Sequence, residues 1–278
     1  MRRGADVVAR HGRLARWLLG GYSVLSYVYL LAPIALIVIF SFNANRNGTL
    51  PFTGFTTGWY EAAFADASIQ AAFWTTLEVA IQVSIVSTVV GTAAAFPLAR
   101  SRLRFRSGIR IFLTLPIMIP GLLLGVGLLI LFASVLSIPL SRTTIVIGQS
   151  VFTTPFVVLL VAAQLQGFDR DLERAASDLG ASAWRRLRYV VLPLIMPAIA
   201  AAMCFAFVLS IDEFIITLFL IGPSENTLPI YIYTQIRQGI TPSVNAVVSL
   251  MLAATIVLLT LGTLTSALLR RIFRRSSG

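Results

Sequence analysis

Six apolar runs, roughly 17–41, 73–99, 109–133, 144–166, 194–221 and 244–269, dominate this chain. A helix that crosses a bilayer needs about 20 mostly apolar residues, and each run is long enough. Barrel strands span only about ten residues and alternate in polarity, which these runs do not. Charged types make up 12% of the residues, where a soluble domain carries about a quarter. The sequence therefore predicts an all-α membrane protein with six transmembrane helices. The first run has 24 uncharged residues, Trp17–Phe40. A signal peptide's apolar core is about 7–15 residues, so this run reads as an uncleaved first span.

Arginine placement gives an orientation. All 22 basic residues are Arg, and the formal net charge is +11. Nineteen fall in the N-terminal tail, the 100–110 connection, the 167–193 loop and the C-terminal "RRIFRR" at 270–275. Only Arg46, Arg142 and Arg237 fall in the intervening connections. The positive-inside rule then places both termini and both basic loops in the cytoplasm. The expected organisation is a basic tail over 1–16, a six-helix domain over 17–271 containing the 167–193 loop, and a tail over 272–278. Because the basic clusters flank apolar runs, a bilayer explains them and nucleic acid is not an expected partner. One cysteine, Cys204, excludes an intrachain disulfide, and with the lone His11 leaves no cluster of metal-binding spacing.

In the first outer connection, 42–72, and at the start of the run after it, Trp59, Tyr60, Phe64, Phe73 and Trp74 fit an interfacial helix with aromatic anchors. The third run contains "TLPIMIPGLLLGVG", in which Pro116, Pro120, Gly121 and Gly125 predict a kink or close helix packing, and a bend at which a gate could move.

The 167–193 loop is the most densely charged stretch. Asp171–Leu179 suits a helix with acids at its start, Gly180 suits its C′ position, and Ser182 suits the cap of a second helix, "AWRRLRYVV". Pro193 is expected to close the unit before the fifth span. Ala175 and Ala176 give the first helix a small-residue face between charges, one that seats closely in a partner's groove.

Asp212 and Glu213 lie inside the fifth apolar run. An ionisable group at membrane depth costs roughly 2.5–3.5 kcal/mol on insertion scales, so it needs a cation, a watery path or a proton. Three readings stand: cation selection on a translocation path, an ion pair with an Arg of a neighbouring subunit, or a carboxyl kept neutral in packing. Trp74, Tyr231 and Tyr233 are candidates for cation–π contacts, and Glu78 for a further acid.

The ordered set Ala175, Ala176, Gly180, Val190, Leu192, Pro193 resembles the cytoplasmic loop of ABC-importer permeases, although Arg174 occupies the family's Glu position and Glu173 precedes it. The resemblance implies a type I ABC importer permease fold. It also implies that Glu173, Arg174, Ala175, Ala176, Asp178, Leu179 and Gly180 couple the chain to an ATPase. The stretch with Ser210, Asp212, Glu213, Gly222, Pro223, Leu228, Pro229, Ile230, Tyr231, Gly239, Pro242, Asn245 and Ala246 is similar to the second permease of spermidine/putrescine importers. Some of those relatives carry an acid where this chain has Gly121. The resemblance implies partners: a homologous permease, two copies of an ABC ATPase that hold the ATP and Mg, and a periplasmic or extracellular binding protein. It implies a place in the bacterial inner membrane. The chain has no GxxxxGK[ST] phosphate loop, so it is not itself the ATPase. A polyamine leads as substrate, with an opine or γ-aminobutyrate as the alternative. A stand-alone carrier would show inverted repeats and more spans. An intramembrane enzyme would need a His, Cys or second acid on another segment.

Overall fold

The computed structural model describes residues 2–45, 50–100, 106–167, 169, 171–239 and 241–275. Arg46, Arg102, Arg104 and Arg170, counted above, lie outside them. The described residues are helical apart from loops and one isolated bridge between Asn43 and Phe55. Among them, five helices are long and apolar enough to cross a membrane, or six if one sharply bent pair counts as a single span. The chain divides into two units: 1–65 with 235–251, and 66–234 with 252–278.

The first unit opens with α1, Arg2–Phe40, so the helix already covers the expected N-terminal tail. From Trp17 to Phe40 large apolar side chains lie bare along it, which a bilayer covers at no cost. A compact clip follows. The Asn43 carboxamide oxygen accepts from the backbone N–H groups of Asn45 and Thr53, both at 3.1 Å. Trp59 donates its indole N–H to the Asn43 carbonyl (2.8 Å), and the Tyr60 hydroxyl meets Ser41 at 2.6 Å. Trp59 and Tyr60, at the start of α2 (Gly58–Ala65), thus give their polar tips to the clip while their rings stay half-exposed. Their polar tips find partners here, which an aromatic at an interface otherwise seeks in headgroups.

The second unit holds the bundle. Its long helices are α3 (Ala67–Arg100), α6 (Arg142–Gln166) and α9 (Leu192–Ile211), which pack on one another. The third apolar run is split into α4 (Arg106–Met118) and α5 (Gly121–Leu129), bent by 97°, with a π turn over Ile130–Val135. Helix α10 (Ile215–Leu220) continues the fifth run after a break, and α11 (Leu228–Gln238) begins beyond it. The last helix, α12 (Pro242–Arg275), runs from one unit into the other.

Lipid tails are as apolar as leucine, so helices in a bilayer associate through close packing of small residues rather than through expulsion of water. The α3–α6 contact follows this rule. Ala80, Ser84, Ser87 and Thr88 are buried, while Ile81, Ile85 and Val89 on the same helix are exposed. At Gly91 an added Cβ would stand 2.7 Å from Val157, so the two helices touch there. Two apolar clusters result. One joins Ala95, Val157, Val161, Leu165, Ile195 and Ala202, and the other joins Val79, Val83, Leu128, Ile145, Ile216 and Leu220.

Candidate functional site

The 167–193 loop folds as a helical hairpin. Helix α7 is Asp171–Asp178, and Gly180 follows it at φ +82°, a left-handed conformation that favours glycine. Ala181 N–H bonds the Ala176 carbonyl at 3.0 Å and Gly180 N–H the Ser177 carbonyl at 2.9 Å, the paired pattern of a Schellman C-cap. The Ser182 hydroxyl accepts from Arg185 N–H at 3.4 Å and starts α8, Ala183–Arg186. Arg174 turns back to Asp171 at 2.7 Å, an exposed pair that orders α7 but adds little energy. Ala175, Asp178 and Gly180 are exposed and Glu173 and Ala176 half-buried, while Leu179 is 89% exposed.

Pro193 does not close this unit. Residues Leu187–Val191 form a π turn that leads directly into α9, so Ala183–Ile211 is one continuous rod. The Leu192 N–H already reaches back five residues to the Leu187 carbonyl. The ladder is thus out of α register just before the residue that has no N–H to give, which removes the usual penalty of an internal proline.

The second feature is the break over residues 212–214. Hydropathy predicts one helix through the fifth run; instead α9 stops at Ile211 and α10 starts at Ile215. Glu213 caps the new start: its carboxylate accepts from the Ile216 N–H at 3.1 and 3.2 Å, one of the donors that the first turn of a helix leaves without a backbone partner. The Thr217 hydroxyl donates to the freed Glu213 carbonyl at 3.0 Å. Non-helical backbone at membrane depth is tolerated where side chains satisfy it in this way. The two acids are thereby separated in role: Glu213 is half-buried and caps α10, whereas Asp212 is exposed.

A second break lies alongside. Pro120, extended at φ −52° and ψ 132°, precedes α5 and sits at the 97° bend; Pro116 lies inside α4. A Cβ on Gly121 would stand 4.0 Å from Ile215, so the starts of α5 and α10 adjoin. Gly125 and Gly148 permit the close approach: a Cβ on Gly125 would meet Phe219 at 2.7 Å, and one on Gly148 would overlap the Leu220 side chain. Gly125 therefore serves packing, and the bend itself belongs to residues 119–121.

Of the aromatic candidates, Tyr233 is brought to this place. Its ring lies 4.8 Å from that of Phe214, inside the break. Sequence reasoning misses Phe214, which reads there as one more apolar residue. The start of α11 is fixed by the Leu228 N–H donating to the Thr76 hydroxyl at 2.7 Å. Tyr231, two residues from Tyr233, projects from a different side of α11. Trp74 is exposed and its ring contact is with Phe73, 5.6 Å away. Glu78 is not an open acid: Arg142 engages it, and also holds Glu225 at 2.9 Å. That ion cluster ties α3, the start of α6 and the 222–227 connection.

Comparisons with known proteins agree with this architecture. The chain is 36% identical over 247 residues to the spermidine/putrescine transport system permease protein PotC of Escherichia coli K12, covering 89% of this chain and 92% of PotC. It is 34% identical to the putrescine transport system permease protein PotI of the same strain, covering 83% and 84%. Its fold matches a chain from the crystal structure of a bacterial ABC transporter that imports alginate, with a TM-score of 0.68, 17% identity and coverage of 90% and 94%. A family model for binding-protein-dependent transport system inner membrane components matches residues 87–278, and the chain belongs to that family.

Proposed function

We propose that this chain is a membrane permease subunit of an ATP-driven importer that takes up a polyamine or a similar organic cation. The single observation that carries the substrate class is the break at 212–214. It sets an exposed carboxylate, a capped carboxylate and Phe214 at consecutive positions, with the Tyr233 ring packed on Phe214. Carboxylates pair with ammonium groups, and aromatic faces attract them. Discontinuous helices at membrane depth are where transporters place their ligand sites. The similarity to PotC and PotI supports the same class of ligand.

In this reading the hairpin from Asp171 to Arg186 seats in a cleft of an ABC ATPase, with Leu179 and the Ala175–Ala176 face as its contact surface. Two such ATPases and a homologous permease complete the transporter. A binding protein delivers ligand to the side bearing the Arg142 cluster. The arginine distribution supports cytoplasmic termini and a bacterial inner membrane. The chain performs no bond chemistry.

The test is uptake of labelled spermidine and putrescine by cells carrying Asp212→Asn with Glu213→Gln. Loss of uptake with the complex still assembled is expected. Undiminished uptake of either cation by that variant refutes the assignment.

A further inference from the structure

Gln149 is 1% exposed, an uncharged polar side chain enclosed in α6. Along α6 it falls between Val146 of one apolar cluster and Val157 of the other. Its carboxamide oxygen accepts from the Ser210 hydroxyl, and its Nε2 donates to the Thr217 hydroxyl at 2.7 Å. Ser210 is 3% exposed and Thr217 is fully buried. Ser210 is the penultimate residue of α9, and Thr217 lies in the first turn of α10. One amide therefore spans the interruption that carries Asp212 and Glu213.

The chain of donors fixes its direction. Thr217 has one hydroxyl hydrogen, and it goes to the Glu213 carbonyl at 3.0 Å. Toward Gln149 the Thr217 oxygen is thus an acceptor, which requires the NH2 end of the amide. The amide oxygen is then left for Ser210. A flipped amide would set two acceptors against each other at Thr217, and a buried unsatisfied group is costly to keep. Every hydrogen bond in this row consequently favours one separation between the end of α9 and the start of α10.

We propose that Gln149 is a positioning residue for the Asp212–Glu213 segment: acting through Ser210 and Thr217, it sets the geometry in which the two carboxylates meet the transported cation. The second half of that statement rests on the cation-path reading above. Neither serine nor threonine touches the ligand in this account, and Gln149 itself acts only through them.

The experiment uses the assembled transporter in proteoliposomes with Gln149→Met, which keeps volume and removes the amide. Gln149→Asn, one methylene shorter, serves if the Met variant fails to assemble. Spermidine KM should rise about tenfold, the scale of one lost buried interaction, with Vmax per assembled complex within about twofold. In parallel, Asp212→Cys is placed in a Cys204→Ser background, and its rate of labelling by a cationic thiol reagent is measured with and without the added Gln149→Met substitution. The rate should change at least about fivefold, because the break relaxes when its brace is gone. An unchanged labelling rate overturns the proposal, as does an unchanged KM in a transporter whose uptake depends on the two carboxylates. If Asp212→Asn with Glu213→Gln leaves uptake intact while labelling still shifts, the cation reading fails and the bracing of the segment stands.

Discussion

Arg142 and Glu225, 83 residues apart in sequence, are joined by two hydrogen bonds to a single carboxylate oxygen, one from Nη2 at 2.9 Å and one from Nε at 3.2 Å. The same guanidinium engages Glu78, so one cation holds two acids that would otherwise repel. The 222–227 connection is thereby tied to α3 and the start of α6. Arg142→Met should leave two unbalanced carboxylates and loosen that connection, seen as faster proteolysis of the 222–227 segment. Arg142→Glu combined with Glu225→Arg should recover part of the protection that either change alone removes. Because the cluster is partly exposed, high salt should weaken wild-type protection as well.

Glycine substitutions should separate by what they meet. At Gly222 a Cβ would stand 2.5 Å from the Leu140 carbonyl oxygen, which is backbone and cannot rotate away. At Gly148 the nearest atom is the end of a leucine side chain, and at Gly127 nothing lies within 4 Å. Gly222→Ala should therefore destabilise the purified complex most and Gly148→Ala less, within the range of roughly 1–3 kcal/mol typical of overpacking. Gly127→Ala should be neutral or slightly stabilising. Thermal unfolding of the three variants checks the order.

The hairpin turn depends on the left-handed conformation of Gly180. Gly180→Val should strain it by about 1–3 kcal/mol, while Gly180→Asn should be better tolerated. The measurement is ATP turnover against uptake: the Val variant should lose their coupling, and the Asn variant should keep most of it.

Leu179 should carry contact energy without supporting the fold, since it is 89% exposed. Leu179→Glu should weaken retention of the ATPase on purification while leaving the membrane helices intact by circular dichroism. Full retention would place the docking surface elsewhere.

Gly121 adjoins Ile215, just beyond the break, and has ordinary room for a side chain. Gly121→Asp should add a carboxylate beside the proposed path and lower the KM for a polycation. A rise in KM would show that repulsion from Asp212 outweighs the added attraction.

The membrane-spanning runs and the hairpin were legible in the sequence because local rules determine them. A span needs about 20 apolar residues wherever it sits, and Gly180 and Ser182 cap helices through bonds to near neighbours. The breaks were less so. Hydropathy is the same whether 194–221 is one helix or two, and the carboxylate of Glu213 acts on a backbone N–H three residues on without changing that average. Pro193 misled because its usual effect assumes an α ladder, and the π turn before it had already shifted that ladder. The hydrogen-bond partners of Trp59 and Tyr60, Asn43 and Ser41, are set by how the clip closes, which residue type alone does not announce. The Arg142 cluster and Gln149 depend on residues more than sixty positions away, which no local pattern announces.

The unbroken run of 29 residues from Ala183 to Ile211 fixes phase as well as length. Each added or deleted residue in a helix turns everything beyond it by about 100°. Arg185, Arg186 and Arg188 at one end and the carboxylate of Asp212 at the other are thus locked in angular register, and neither face is free to be re-aimed alone. A single-residue insertion in this run would swivel one end against the other unless a wide turn absorbed it, and the wide turn at Leu187–Val191 is already in use beside Pro193.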